Sequence, residues 1–283
     1  MSRNITLFEM GPRDGLQNEK KIIATKDKVK LVDLLSDCGF SKIEVTSFVS
    51  ARWVPQMADA ADVLNRITRK PGVAYTALTP NMKGLQAAIA AEADEVAIFA
   101  SASEGFSRKN INCSIEESIQ RFRPVADLAK EKNLPLRGYV SCVVGCPYDG
   151  EVSPDAVARV VSQLAMLGCY EISLGDTIGT GTPETVSDML DQAIAAVGSN
   201  RLAGHYHDTN GRALENIEVS LEKGICTFDA SVGGLGGCPY APGARGNVDT
   251  ASVVAMLHDK GYETGIDLSR LSKAGEFALE LLQ

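Results

Sequence analysis

The stretch Arg201-Leu-Ala-Gly-His-Tyr-His-Asp208 reads as a β-strand that delivers two of the chain's three histidines at its end. On an extended backbone, residues i and i+2 share a face and lie about 6–7 Å apart along the strand. The imidazoles of His205 and His207 can therefore converge on one point, a geometry that suits a metal ion. A packed and a solvated strand histidine would look the same in isolation, so the decision passes to the surrounding sequence.

Similar short runs rich in Ile, Val, Leu, Tyr and Phe recur along the chain, each followed by a segment of helical period. Strands are expected from Ile5 to Met10, Lys42 to Ser47, Val73 to Thr79, Glu95 to Ala100, Leu136 to Cys142, Tyr170 to Gly175, Leu202 to His207 and Phe228 to Val232. Helices are expected from Lys26 to Asp37, Asn81 to Ala91, Ser114 to Lys132, Pro154 to Leu167 and Pro183 to Val197. Several open on a capping residue followed by proline, as in Ser153-Pro154 and Thr182-Pro183, and close near Gly39, Gly168 or Gly198. Strict β/α alternation without a linker predicts a single (β/α)8 TIM barrel over residues 1–283, with an extra C-terminal amphipathic helix from Leu268 to Gln283 packed on its outside.

The bulk numbers agree with one globular α/β unit: 283 residues, 45% hydrophobic and 23% charged. With 28 basic against 36 acidic residues and no dominant Lys/Arg run, the charge of -8 gives no footprint for nucleic acid or an anionic membrane. A small-molecule partner is the default. The N-terminus enters a strand without a signal-peptide pattern, and no apolar run reaches membrane-spanning length, so a cytoplasmic location is expected. The seven cysteines read as free thiols, and Cys142 and Cys146 lack the second ligand pair of a structural zinc site.

A barrel places its chemistry at the C-terminal ends of strands and in the loops that follow. Arg13 and Asp14 follow strand one, Glu44 and Ser47 lie toward the end of strand two, and Asn110 follows strand four. Arg137 lies in strand five, Asp176 and Thr177 end strand six, and the stretch from Cys238 to Asn247 follows strand eight. His205, His207, Asp14 and Asn247 form a mixed nitrogen and oxygen donor set with room for further ligands, which favours a divalent Mg2+ or Mn2+ over thiolate-bound zinc. Asp14 alone would pass as a turn residue, and Asn247 alone as the N-cap of a helix from Asn247 to His258. Arg13 beside such a metal is suited to stabilise an oxyanion, although an arginine paired only with Glu44 would read the same way. The glycine-rich loop from Gly233 to Asn247 is expected to act as a mobile lid presenting the Cys238 thiol as a proton donor.

The motifs GPRDGLQNE (11–19), KNINCSIEES (109–118), RGYVSCVVGCPY (137–148), GDTIGTGTP (175–183), HYHDTNG (205–211) and GLGGCPYAPGARGN (234–247) resemble those of the 3-hydroxy-3-methylglutaryl-CoA lyase family across almost the whole chain. The resemblance implies a retro-Claisen lyase acting on an acyl-CoA, with Asp14, His205, His207 and Asn247 as metal ligands, Arg13 on the reacting carbonyl and Cys238 as the mobile thiol. It also implies Glu44 as an acid near the metal, and Ser47, Asn110, Arg137 and Thr177, supported by Asp176, around the acyl portion of the substrate. The general base is open among His205, Asp14 and Glu44. A condensing enzyme or a lyase for a related hydroxyacyl substrate is the alternative, and the chain is compatible with a homo-oligomer. Where relatives commonly read Asn-X-Ala-Thr-Glu, this chain has Asn247-Val-Asp-Thr-Ala251, which bears on substrate range.

Overall fold

The computed structural model describes residues 4–236 and 246–283. Eight parallel strands close into a barrel: β1 (Thr6–Glu9), β2 (Lys42–Ser47), β3 (Ala74–Leu78), β4 (Glu95–Ser101), β5 (Leu136–Ser141), β6 (Glu171–Asp176), β7 (Leu202–Tyr206) and β8 (Thr227–Ala230). Each neighbours the next in sequence, and β8 closes on β1 in the register Thr6 to Thr227 and Glu9 to Ala230. The expected (β/α)8 architecture is therefore the observed one, with strand ends within one or two residues of the reading. A two-stranded hairpin, Gly145–Cys146 with Gly150–Glu151, decorates the loop after β5.

Outward-facing strand residues such as Ile43, Val96, Val140, Ile172 and Leu174 join the helical layer in one large apolar cluster. That shell contains α1 (Thr25–Ser36), α2 (Ala60–Arg66), α3 (Met82–Ala90), α4 (Glu104–Ile111), α5 (Ile115–Glu131), α6 (Pro154–Met166), α7 (Pro183–Val197), α8 (Ala213–Glu222) and α9 (Thr250–Asp259). The extra helix α10 (Leu268–Glu280) packs against α1 and the turn Val232–Gly234 that follows β8. No helix among the described residues is long and apolar enough to cross a membrane.

The lumen is unusual in its polarity. A small apolar layer, Phe8, Met10, Leu78, Ala97 and Tyr139, shares it with the buried charges Glu44, Arg137 and Asp229. At its N-terminal end Lys42 donates to Glu95 at 2.7 Å and to the Tyr170 hydroxyl, which closes the floor.

The helix after β8 starts at Thr250, not at Asn247. Asp249 caps it, accepting the Ser252 N–H at 3.0 Å and the Ser252 hydroxyl at 2.8 Å. Asn247 is thereby released from capping, and the departure from the family pattern has a structural use, because the acid sits at the cap while Ala251 packs against the core. Asp249→Ala is expected to lower unfolding free energy by about 1 kcal/mol, the usual cost of a lost N-cap. Urea denaturation reads this directly, and an unchanged midpoint would deny Asp249 the capping role.

Candidate active site

Directly after β1 the chain makes a π-helical turn, Gly11–Gly15, that carries Arg13 and Asp14; such turns recur at functional sites. Its glycines permit close packing. A Cβ at Gly11 would stand 2.8 Å from Glu9 Oε1 and from Val232 Cγ1, and one at Gly15 would stand 2.7 Å from Leu235 Cβ. The turn is thus pressed against the segment that leaves β8.

Arg13 is buried, donating through Nε to Glu44 Oε2 at 2.5 Å and through Nη1 to Asp14 Oδ1. Burial alone would lower the Arg13 pKa, but the carboxylates of Asp14 and Glu44 raise it, so the guanidinium stays charged. Burial likewise pushes Asp14 up, and Arg13 with the two histidines outweighs it, holding that carboxyl well below its ordinary range. Glu44 keeps a net upward shift from burial despite Arg13. Strand β2 shifts register between Glu44 and Thr46, and such an irregularity alters which side chains face inward; Ser47 ends the strand buried, with its hydroxyl 3.5 Å from the Leu78 carbonyl.

His205 and His207 end β7 and its extension, with ring centroids 5.4 Å apart. His205 Nε2 lies 3.9 Å from Asp14 Oδ2, and one ligand atom from each of Asp14, His205 and His207 falls within 4.8 Å of the others. On the far side of its ring, His205 Nδ1 meets Asp229 Oδ2 at 3.1 Å, an arrangement that favours a proton on Nδ1 and leaves Nε2 facing Asp14; burial lowers the pKa of this ring, and Asp229 and then Asp14 outweigh it and raise it. Burial, then His205, pushes His207 down to about 4, so this ring is neutral at physiological pH, and its Nδ1 is buried. An ionised carboxylate, a neutral imidazole and an oriented imidazole aimed at one point fit a divalent cation. Asn247 joins them from the returning chain, forming an isolated bridge with His207 and donating through Nδ2 to Asp14 Oδ2 at 2.8 Å and to the Leu235 carbonyl at 3.2 Å.

These groups belong to a larger circuit through the lumen. Arg137 donates twice to Asp229, at 3.1 and 2.8 Å, once to Glu171 at 2.8 Å and once to the Tyr139 hydroxyl at 2.9 Å. Tyr139 donates onward to Glu44 Oε1 at 3.2 Å, and Ser173 donates to Asp229 at 2.7 Å. The circuit therefore runs Arg137, Asp229, His205, Asp14, Arg13, Glu44, Tyr139 and back to Arg137. Phe8 lies against the Arg137 guanidinium, 4.3 Å from ring centroid to Cζ.

The remaining expected residues fall at different places. Asp176 is buried and accepts the main-chain N–H groups of Thr180 and Gly181, shaping the loop after β6. Thr177 accepts the Cys142 N–H at 2.8 Å. Arg137 is wholly buried, its guanidinium committed to the circuit rather than presented at the mouth. Asn110 is exposed in the last turn of α4, and Cys238 lies outside the described residues. Sequence reading missed Asp229, Tyr139 and Glu9. Their signal is a polar or ionisable side chain inside a short strand of otherwise apolar residues, such as Phe228-Asp229-Ala230.

The HMGL-like family model matches residues 4–278. Over 278 residues the chain is 56% identical to the cytoplasmic 3-hydroxy-3-methylglutaryl-CoA lyase of Danio rerio, covering 98% of this chain and 83% of that protein. The crystal structure of the HMG-CoA lyase from Brucella melitensis superposes with a TM-score of 0.98 at 62% identity, covering 98% of both chains. An HMG-CoA lyase from A. baumannii, solved in complex with coenzyme A and 3-methylmalate, matches with a TM-score of 0.94 at 35% identity over 100% of this chain and 92% of that one.

Asp229→Asn preserves shape while removing the charge shared by Arg137 and His205. Stability should fall by about 3–5 kcal/mol, because a buried guanidinium loses its counter-ion, and Mn2+ affinity should fall about 10–100-fold, because His205 loses the partner that orients it. Thermal melts and Mn2+ titration measure the two effects; a variant as stable as wild type with full Mn2+ affinity would remove Asp229 from both roles.

Proposed function

This chain belongs to the HMGL-like family, and from that membership we infer that it is a carbon–carbon lyase that cleaves 3-hydroxy-3-methylglutaryl-CoA into acetyl-CoA and acetoacetate. The observation that carries this reading from family to site is the convergence of Asp14, His205 and His207 beside the charged Arg13 at one end of the barrel.

Asp14, His205 and His207, with Asn247 alongside, would hold a divalent cation, which we assign as Mg2+ or Mn2+ from the nitrogen and oxygen donors. When bound, the cation supplies Lewis-acid polarisation of substrate oxygens. The 3-hydroxyl proton leaves to Asp14, because a His205 that holds a cation through Nε2 and keeps its proton on Nδ1 against Asp229 has no lone pair left to accept it. Glu44 has one oxygen engaged by Arg13 and the other by Tyr139, so its role is to orient Arg13. Loss of that proton lets the oxygen form the C3=O bond of acetoacetate, and the C2–C3 bond breaks with its electron pair passing to C2, which leaves the enolate of acetyl-CoA. Arg13 gives two of its five N–H groups to Glu44 and Asp14, and its remaining N–H groups are proposed as donors to the developing oxyanion. The Cys238 thiol then donates the proton that completes the methyl group of acetyl-CoA.

Ser47 and Thr177 are proposed as contacts to the acyl portion and Asn110 as an outer contact, while Asp176 and Arg137 act by positioning. The acyl-CoA partner is supported by the coenzyme A complex of the A. baumannii relative.

An assay of acetyl-CoA release from 3-hydroxy-3-methylglutaryl-CoA, with and without Mg2+ or Mn2+, tests the reading. Metal-dependent release is expected, and its absence from folded, metal-loaded protein would refute the reading. Arg13→Met should retain metal and lose about 10²-fold in kcat, the usual effect of deleting one oxyanion donor. A change confined to KM would make Arg13 a substrate clamp. Cys238→Ser should bind metal and substrate yet lose most turnover, because a hydroxyl is a far weaker acid than a thiol; full activity in that variant would end the proton-donor role.

A further inference from the structure

Glu9, the last residue of β1, is completely buried, and its carboxylate joins three segments. Oε1 accepts the main-chain N–H groups of Gly11 and Val232, each at 2.8 Å, and Oε2 accepts the Thr250 hydroxyl at 2.8 Å. Gly11 opens the turn that carries Arg13 and Asp14, and Val232 opens the turn that leaves β8. Thr250 follows Asn247 by three residues and begins α9. We propose that Glu9 is a positioning residue of the metal centre, setting the turn that bears Asp14 against the returning segment that bears Asn247.

Backbone contacts show how little slack surrounds this junction. Met10 N–H donates to the Ala230 carbonyl at 2.8 Å, Ser231 N–H to Val248 at 3.0 Å, and Thr250 N–H to Ser231 at 3.1 Å. Gly236, at φ +93°, is also confined, since a Cβ there would fall 2.7 Å from Asn247 Nδ2 and 3.1 Å from the Asp14 carbonyl. Within this frame Glu9 is the side chain whose two oxygens reach the Asp14 turn, the exit from β8 and the start of α9 together. Removing it leaves two buried N–H groups without acceptors, and the two halves of the ligand set lose their common anchor. Burial pushes the Glu9 pKa up to about 7; glutamine keeps the shape and the oxygen that accepts the Gly11 and Val232 N–H groups, and its amide N–H can donate to the Thr250 hydroxyl in place of accepting from it, which makes Gln the conservative replacement.

This inference rests on the metal-dependent reading above, and its test separates the two. Mn2+ binding to the full chain is measured by electron paramagnetic resonance for wild type, Glu9→Leu, Glu9→Gln, Thr250→Val and Asp14→Asn, with thermal melts to identify folded variants. Glu9→Leu should weaken Mn2+ binding about tenfold or more, as loss of a supporting partner does at other metal sites. Thr250→Val should weaken it by a smaller factor, and Glu9→Gln should bind like wild type. A merely structural role would lower the melting temperature and leave Mn2+ affinity unmoved. If Glu9→Leu does not fold, Thr250→Val decides. Wild-type affinity in the deciding variant overturns the role of Glu9, and if Asp14→Asn is weak in the same series the metal reading stands. Equal Mn2+ binding by wild type and Asp14→Asn overturns both.

Discussion

A guanidinium sealed inside the barrel, with no exposed surface, must be matched by charge and by hydrogen bonds. Arg137 meets this demand with Asp229, Glu171 and Tyr139. Burial opposes its charge, yet Asp229 foremost, then Tyr139 and Glu171, hold its pKa well above the ordinary value. Desolvating two ions is costly, and the pairing offsets it only when the remaining donors and acceptors are also satisfied. Ser173 and His205 complete that requirement for Asp229, and the same carboxylate thereby reaches a histidine of the candidate metal site.

The circuit therefore fixes the site from beneath. At one end Asp229 sets the orientation of His205; at the other, Tyr139 and Glu44 set the Arg13 fork, and Arg13 in turn keeps Asp14 ionised. Alternation along β5 places Arg137 and Tyr139 on the lumen side while Gly138 packs outward near Leu164 and Cys169. The strand pattern that builds the core thus also places the charges, and the groups proposed for catalysis at the mouth need little reorganisation because their partners are already ordered.

Much of this was legible in the sequence. Local periodicity identified the barrel strands and the span of α7, and the barrel rule carried Asp14, His205 and His207 to one end, where they meet. Helices α2, α4 and α8 were not read, and α4 (Glu104–Ile111) shows why: Ser107, Arg108, Lys109 and Asn110 blur its apolar face. Asp229 and Tyr139 were missed because their partners lie across the lumen on strands far away in sequence. Arg137 on β5 meets Asp229 on β8 only after the barrel closes, and no local spacing encodes that pairing. The capping role of Asp249 escaped for a different reason, since Asn247 two residues earlier is an equally good cap by residue type and only backbone geometry separates them.

This circuit presents a ready-made cation site with His205 held through Nδ1. Anomalous diffraction from Mn2+-soaked crystals tests it most directly. One strong peak is expected among Asp14, His205 and His207, with His205 Nδ1 still on Asp229 and Arg13 still on Glu44. A peak elsewhere in the barrel, or a bound ion with His205 detached from Asp229, would contradict it.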